Sequence, residues 1–190
     1  MLGKMPLDSH TRWLDIGQQL AHIPEDRAAV GSVPDLSVAE NLILKCFHRP
    51  PISAGWAISQ KAVQQNATRL VKDYQIATPT VDTPVRMLSG GNLQKVILAR
   101  ETSGHPKLMI AVHPSRGLDV GATEAVHKLL IQQRDDGAAI LLISEDLDEL
   151  LSLSDRLAVI YEGNLVGEMP AEGADIHTIG LMMAGARVGT

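Results

Sequence analysis

The spacing of apolar and polar residues divides the chain into a helical middle and an α/β second half. Residues 59–74 place Val63, Ala67, Leu70, Val71 and Tyr74 on one face, with Gln64, Gln65, Arg69 and Lys72 elsewhere. That pattern predicts an amphipathic helix. Leu93, Val96 and Ile97 keep the same spacing inside LSGGNLQKVILARE, among good helix formers. This helix is expected to begin at Ser89, Gly90 and Gly91 and to stop near Gly104, with Pro106 just beyond. Ser37 and Glu40 have capping-box spacing and predict a further helix over 37–45. Arg49, Pro50 and Pro51 open a loop.

From Lys107 the texture changes. Residues 108–112 and 139–143 are continuous apolar runs, as expected of parallel strands covered on both faces. Between them a helix is predicted over 122–134, with Ala122, Ala125, Val126, Leu129 and Leu130 inward and Gly137 as its stop. A short acidic helix over 145–151 follows, then strands over 157–161 and 164–169 around Glu162 and Gly163. A last helix over 176–183 ends at Gly185. Near the start, Leu20, Ala21, His22 and Ile23 form a brief strand halted by Pro24. Residues 1–20 are weakly patterned: a short strand over 1–8, a short helix or turn over 11–19. The fold class is therefore α/β, a parallel sheet plus a mostly helical lobe. The expected organisation is one domain, with 1–27 and 105–190 as the α/β core and 28–104 as the lobe.

Composition removes several function classes. Aromatic residues make up 3% of the 190 and the net charge is −5, which argues against nucleic acid as a partner. Cys46 is the only cysteine, so no internal disulfide forms and a reducing compartment is expected. Cys46 reads as a small apolar residue rather than a nucleophile. No apolar run approaches the ~20 residues that cross a bilayer. The first ten residues, MLGKMPLDSH, contain no signal-peptide core. The expected location is cytoplasmic, with any membrane association made through a protein partner.

The candidate chemistry gathers at Ser89, Gly90 and Gly91. The first N–H groups of a helix have no intrahelical partner, and the dipole adds roughly half a positive charge there. Two glycines keep side-chain bulk away from those groups, and Ser89 adds a hydroxyl, so the helix start faces an anion such as phosphate. The alternative is a serine N-cap with flexible glycines in a turn.

The wider run, LSGGN followed by Gln94, Lys95 and ILARE, resembles the signature motif of ABC-type transporter ATPases. It is most similar to the second ATP-binding half of the tandem ATPases of bacterial sugar and nucleoside importers. In that family ATP lies between two subunits. One supplies a P-loop, a magnesium aspartate, a glutamate base and a switch histidine, and the other supplies the signature helix. The resemblance implies that Ser89, Gly90, Gly91, Asn92 and Gln94 contact ATP held, with Mg2+, by a P-loop-bearing ABC ATPase domain. The run IPEDR, residues 23–27, resembles the segment that carries a glutamine loop in other members, with Glu25 at the glutamine position. There Glu25, Asp26 and Arg27 would contact a transmembrane permease, whereas the residues alone read as a solvated turn. LSVAENL resembles the segment that follows it.

The resemblance also exposes departures. No G-x-x-x-x-G-K-S/T run is present; Gly3-Lys4 is followed by Met5. The similarity begins just downstream of that motif, so a short natural chain or a truncation is expected. Val112 stands at the magnesium-aspartate position, and valine cannot ligate a hard cation. His113 stands at the catalytic-glutamate position, where an imidazole could accept a proton from water. Asp119 matches the D-loop aspartate, and equally fits an N-cap before the next helix. Glu145 replaces the switch histidine, and a carboxylate there would repel a γ-phosphate. No resident metal site is implied.

The leading expectation is a degenerate half of an importer ATPase, peripheral to the inner membrane through the permease and nearly inactive alone. A homodimer is an alternative pairing. A scaffold that never touches nucleotide is the second reading, and it would bury the helix start at Gly90 and Gly91. An independent enzyme using His113 with Asp119 or Glu145 is the third. The sheet is also expected to lack a strand and a covering helix, leaving apolar surface that self-associates or is covered by residues 1–20.

Overall fold

The computed structural model describes residues 19–54 and 57–186. The expectations for residues 1–18 lie outside them. The chain packs as two compact units, divided between Leu141 and Leu142.

In the first unit the signature helix, Gly90–Thr102, is the centre. We label the helices Val38–Ile43 as α1, Gln60–Asp73 as α2, Gly90–Thr102 as α3 and Val120–Asp135 as α4. The strands are Leu20–Ile23 (β1), Ser53–Ala54 (β2), Ala57–Ile58 (β3), Leu108–Val112 (β4) and Ala139–Ile143 (β5), the last of which contains the division. Helix α3 packs against α1, α4 and β1. Val96, Ile97, Leu98 and Ala99 are all completely buried, so α3 is enclosed on nearly every side rather than amphipathic. Burying each of the three larger side chains contributes about 1.5–3 kcal/mol.

Helix α1 begins with the expected capping box: Ser37 Oγ accepts from the Glu40 amide while Glu40 accepts from the Ser37 amide. Glu40 ends up below the usual carboxylate range, chiefly through its bond to the Ser37 hydroxyl and next through that to the Ser37 amide. The helix stops at Ile43, two residues early. Asn41, fully buried, accepts from the Val33 amide and donates to the carbonyls of Val33, Leu36 and Ser37, which pins the preceding loop. Helix α2 has Ser59 as N-cap and buries Val63, Ala67 and Leu70, the predicted face. The short antiparallel pair of β2 and β3 was not expected within the loop.

Strands β1, β4 and β5 form one sheet in the order β1-β4-β5, and β1 runs parallel to β4 with Leu20 beside Leu108 and Ile23 beside Ala111. Coverage on both faces is not found. Ala21, Ile23, Met109 and Ala111 are completely buried on one face, whereas Leu108 is 41% exposed and Leu141 52%. Alternate residues of a strand point to opposite faces, which sets exposed Leu108 apart from buried Met109 and Ala111. Helix α4 starts two residues before the predicted point because Asp119 takes the N-cap and accepts from the Ala122 amide at 2.9 Å.

The second unit contains helix α5 (Leu147–Leu153), strands β6 (Arg156–Tyr161) and β7 (Asn164–Pro170), and helix α6 (Ile176–Met183). Strands β6 and β7 pair with each other antiparallel and form a separate two-stranded sheet, not an extension of the parallel one. The two-residue turn sets their antiparallel pairing: Glu162 and Gly163 both have positive φ, +48° and +76°, the geometry that folds a chain straight back. Leu157, Val159, Ala171, Ile179 and Met182 form the core, with Leu147, Leu150 and Leu151 of α5 against it. Helix α5 starts at Leu147 rather than residue 145, because Asp146 caps it by accepting from the amides of Asp148 and Glu149.

Candidate functional site

The helix start is open where the sequence places the chemistry. Ser89 and Gly90 are exposed, and Gly91 and Asn92 half-buried. Ser89 has extended backbone and caps α3, its Oγ accepting from the Asn92 amide at 3.4 Å and from Asn92 Nδ2 at 3.0 Å. Asn92 Oδ1 accepts from the Ala77 amide at 2.8 Å, so this side chain ties the helix start to the segment after α2. The N-cap reading holds: the hydroxyl oxygen faces Asn92, while Gly90 stays exposed at the first position of the helix.

The two glycines serve different ends. A Cβ on Gly90 would meet nothing closer than 3.7 Å. A Cβ on Gly91 would come within 2.9 Å of the Ala122 Cβ, so Gly91 is what lets α4 approach the start of α3. Gln94 does not join the open face. It is 2% exposed, and its Nε2 donates to the Pro114 carbonyl at 2.9 Å.

The loop after β4 begins at His113, which holds a left-handed φ of +45° and is half-buried. Asp119, exposed, closes it as the α4 N-cap. The turn at 24–27 is joined to this loop. Glu25 forms an ion pair with Arg116, and Arg27 Nη2 donates to the Arg116 carbonyl. Asp26 accepts from the amides of Ala28 and Ala29 and thereby shapes the turn. Burial lowers the Arg27 pKa below its ordinary value, with Asp26 opposing. So Glu25, Asp26 and Arg27 form a turn, as read from the residues, but one fastened to its neighbour rather than merely solvated.

Glu145 lies in the second unit, exposed, one residue before the Asp146 cap of α5. Val112 is half-buried at the end of β4 and offers no donor. Among the described residues no three His, Cys, Asp or Glu side chains converge as a metal site. Cys46 is half-buried, and burial raises its thiol pKa, with Arg49 opposing. A cavity of about 220 Å³ lies between α2, the end of α3 and α4, lined in part by Arg69, Tyr74, His105 and Gln133, and none of the residues at the helix start borders it.

Guanosine import ATP-binding protein NupO of Bacillus subtilis is 44% identical over 167 residues, 88% of this chain and 33% of NupO. The chain belongs among the ABC transporter ATP-binding proteins, matched over part of their length. A glucose import ATP-binding protein of Haloferax volcanii is 42% identical over 172 residues, 90% of this chain and 31% of that one. The chain thus spans about a third of the curated relatives it matches. The dimeric ATP-binding cassette MJ0796, in a post-hydrolysis state bound to ADP and Pi, superposes with a TM-score of 0.67 at 19% identity. That match covers 85% of this chain and 66% of the cassette, and it shows the fold. No protein-family model matches.

Three contacts of this ABC-type fold escaped the sequence. Arg116 is the hub joining the turn at 24–27 to the loop before α4, yet nothing local distinguishes it from a solvated arginine. Glu101, 6% exposed, accepts from the His22 amide, Lys45 Nζ and Arg100 Nε, and so joins α3 to β1 and to the segment after α1. Gln94 sits within the motif, but its carbonyl partner lies 20 residues away. No helix among the described residues is long and apolar enough to cross a membrane.

Proposed function

We propose that the chain is part of the ATP-binding protein of an ABC importer for sugars or nucleosides. In this reading the start of α3 presents Ser89, the backbone of Gly90 and Gly91, and the neighbouring Asn92 to ATP. The triphosphate and its Mg2+ are held by the P-loop of another cassette. The exposed Ser89 and Gly90 at the start of α3, in a chain 44% identical to NupO over 167 residues, carry the reading. A scaffold indifferent to nucleotide was expected to bury that turn.

Anion binding suits these residues because the first-turn N–H groups and the helix dipole act together, with no side chain in the way. Gln94 is left out, since its amide is buried against Pro114. Asp119 would reach the partner across the interface while capping α4. The turn of Glu25, Asp26 and Arg27 would contact the permease, placing the protein at the cytoplasmic face of the membrane. ATP hydrolysis by the chain alone is expected to be slow or absent, with Val112, His113 and Glu145 where the metal ligand, base and switch histidine stand in active relatives. A second copy of this chain is the alternative partner.

The test is association of the chain with the part of NupO outside the matched third, followed by sedimentation with and without ATP and Mg2+. Association that requires ATP and is lost in Ser89→Arg is expected. Tight magnesium-dependent ATP binding by the isolated chain, indifferent to Ser89→Arg, would overturn the reading.

A further inference from the structure

The ends of three helices meet around one cavity in the first unit. Helix α2 finishes at Asp73, α3 at Thr102 and α4 at Asp135. Tyr74, Ser103 and Asp136, each just past one of those ends, all line the space of about 220 Å³. A helix C-terminus carries roughly half a negative charge, so three of them turn the same sign of potential on the space between. That space is far larger than a single water needs.

The wall also holds a polar group that the fold leaves unsatisfied. Gln133 lines the cavity and is 7% exposed, and its side-chain amide has no hydrogen-bond partner among the described residues. Burying an amide in that condition is costly, and a ligand that bonds to it removes the cost. Beside it, the Thr102 hydroxyl donates to the Leu98 carbonyl at 2.7 Å. Its one hydrogen is thereby used, so Tyr74 is the donor in the 2.7 Å bond between Tyr74 Oη and Thr102 Oγ1. The Tyr74 oxygen has only lone pairs left to offer.

The charges at the mouth divide unequally. Arg69 is held on its own helix, by Asp73 at 3.3 Å and Asn66 at 3.1 Å. Asp136 lines the cavity with no ion pair among the described residues, and His105 completes the mouth. What remains uncommitted is an amide, a phenol oxygen, a carboxylate and three negative helix ends. Such a set matches donors that carry positive charge. Among the described residues no three His, Cys, Asp or Glu side chains converge as a metal site, so the fit is to an organic ammonium rather than a metal ion.

We propose that this cavity is a binding site for a small organic cation bearing primary ammonium groups, received by Gln133, Tyr74 and Asp136. The site is separate from the start of α3 and does not rest on the reading of that start as a nucleotide contact. An occupant would hold the far end of α3 to α2 and α4.

The test is NMR titration of the full chain with putrescine, a four-carbon diamine, against 1,4-butanediol, its uncharged counterpart. It is run at physiological ionic strength and about pH 8, where an imidazole is ordinarily neutral. Putrescine is expected to give saturable shifts in the Gln133 side-chain amide and in the backbone amides of Tyr74, Ser103 and Asp136, and butanediol none. Gln133→Leu and Asp136→Asn should each raise the Kd about fivefold, read at Tyr74, and Ser89→Arg should leave it unchanged. Equal shifts with butanediol would overturn the proposal, as would the same shifts from MgCl2 at matched ionic strength. Shifts spread equally over exposed carboxylates of the second unit, such as Asp148 and Glu172, would also overturn it, as unspecific attraction. Gln133→Leu removes an unpartnered amide and should melt no lower than the unaltered chain. If it does not fold, Asp136→Asn, at an exposed position, decides alone, and an unchanged Kd there overturns the site.

Discussion

The side-chain amide of Gln94, buried to 2% exposure, donates to the backbone carbonyl of Pro114 at 2.9 Å and so holds the second turn of α3 against the loop that follows β4. Position 94 is therefore a structural fixture of the signature helix rather than part of its open tip. Gln94→Ala strands a buried carbonyl and should lower stability by about 1–3 kcal/mol in urea denaturation. Gln94→Glu should not rescue it, because an ionised carboxylate has no N–H to donate. A Gln94→Glu midpoint equal to the unaltered chain would refute this account.

Gly91 of α3 faces Ala122 of α4 with no room for a Cβ between them. Alanine at position 91 would gain about 1 kcal/mol of helix propensity. It would also drive two Cβ atoms to 2.9 Å, and overpacking of that kind costs about 1–3 kcal/mol. The clash is expected to win. Gly91→Ala should destabilise, and Ala122→Gly in the same chain should recover the loss through a positive coupling in a double-mutant cycle. Additive effects would show that the helices separate freely instead.

Glu101, 6% exposed, collects donors from three directions. Glu101→Ala leaves Arg100, 9% exposed, without its carboxylate, and should cost about 3 kcal/mol or more. Lys45 adds less to this figure, being 28% exposed and able to turn to solvent. Glu101→Gln keeps acceptors for the His22 amide and should cost less than the alanine. Thermal melts of the two variants side by side decide the order.

Strong acid should loosen two exposed helix starts. Asp175 caps α6, and its pKa is lowered chiefly by the Thr178 hydroxyl, then by the amides of Thr178 and His177. Glu40 is lowered in the same direction by Ser37. A carboxylate held below its unfolded value stabilises the fold above that value, about 4, and the contribution disappears as pH falls through the lower folded value. Both carboxyls should titrate below the values of free Glu and Asp side chains by NMR, with fraying of α1 and α6 in step. Asp175→Asn should remove the acid response of α6 and leave that of α1. A response of α6 that survives in Asp175→Asn would assign it elsewhere.

Local pattern determined much of this protein. The face of α2, the extent of α6, the capping box at Ser37, the start of α3 at Ser89 and the turn at Glu162 and Gly163 are all written within a few residues, because caps, periodicity and turn chemistry act over that range. The motif LSGGN was likewise legible and pointed to the family. Tertiary structure decided what each residue of the motif does. Gly90 stays open while Gly91 receives α4, and Gln94 turns inward to a carbonyl 20 positions away. It also decided that Arg27 and Arg116 belong to one arrangement, although 89 residues separate them. The sheet gave the clearest difference, since apolar runs in β4 and β5 look alike whether one face is covered or two. The reason is common to all of these: a side chain's partner across the fold leaves no mark on the residues next to it.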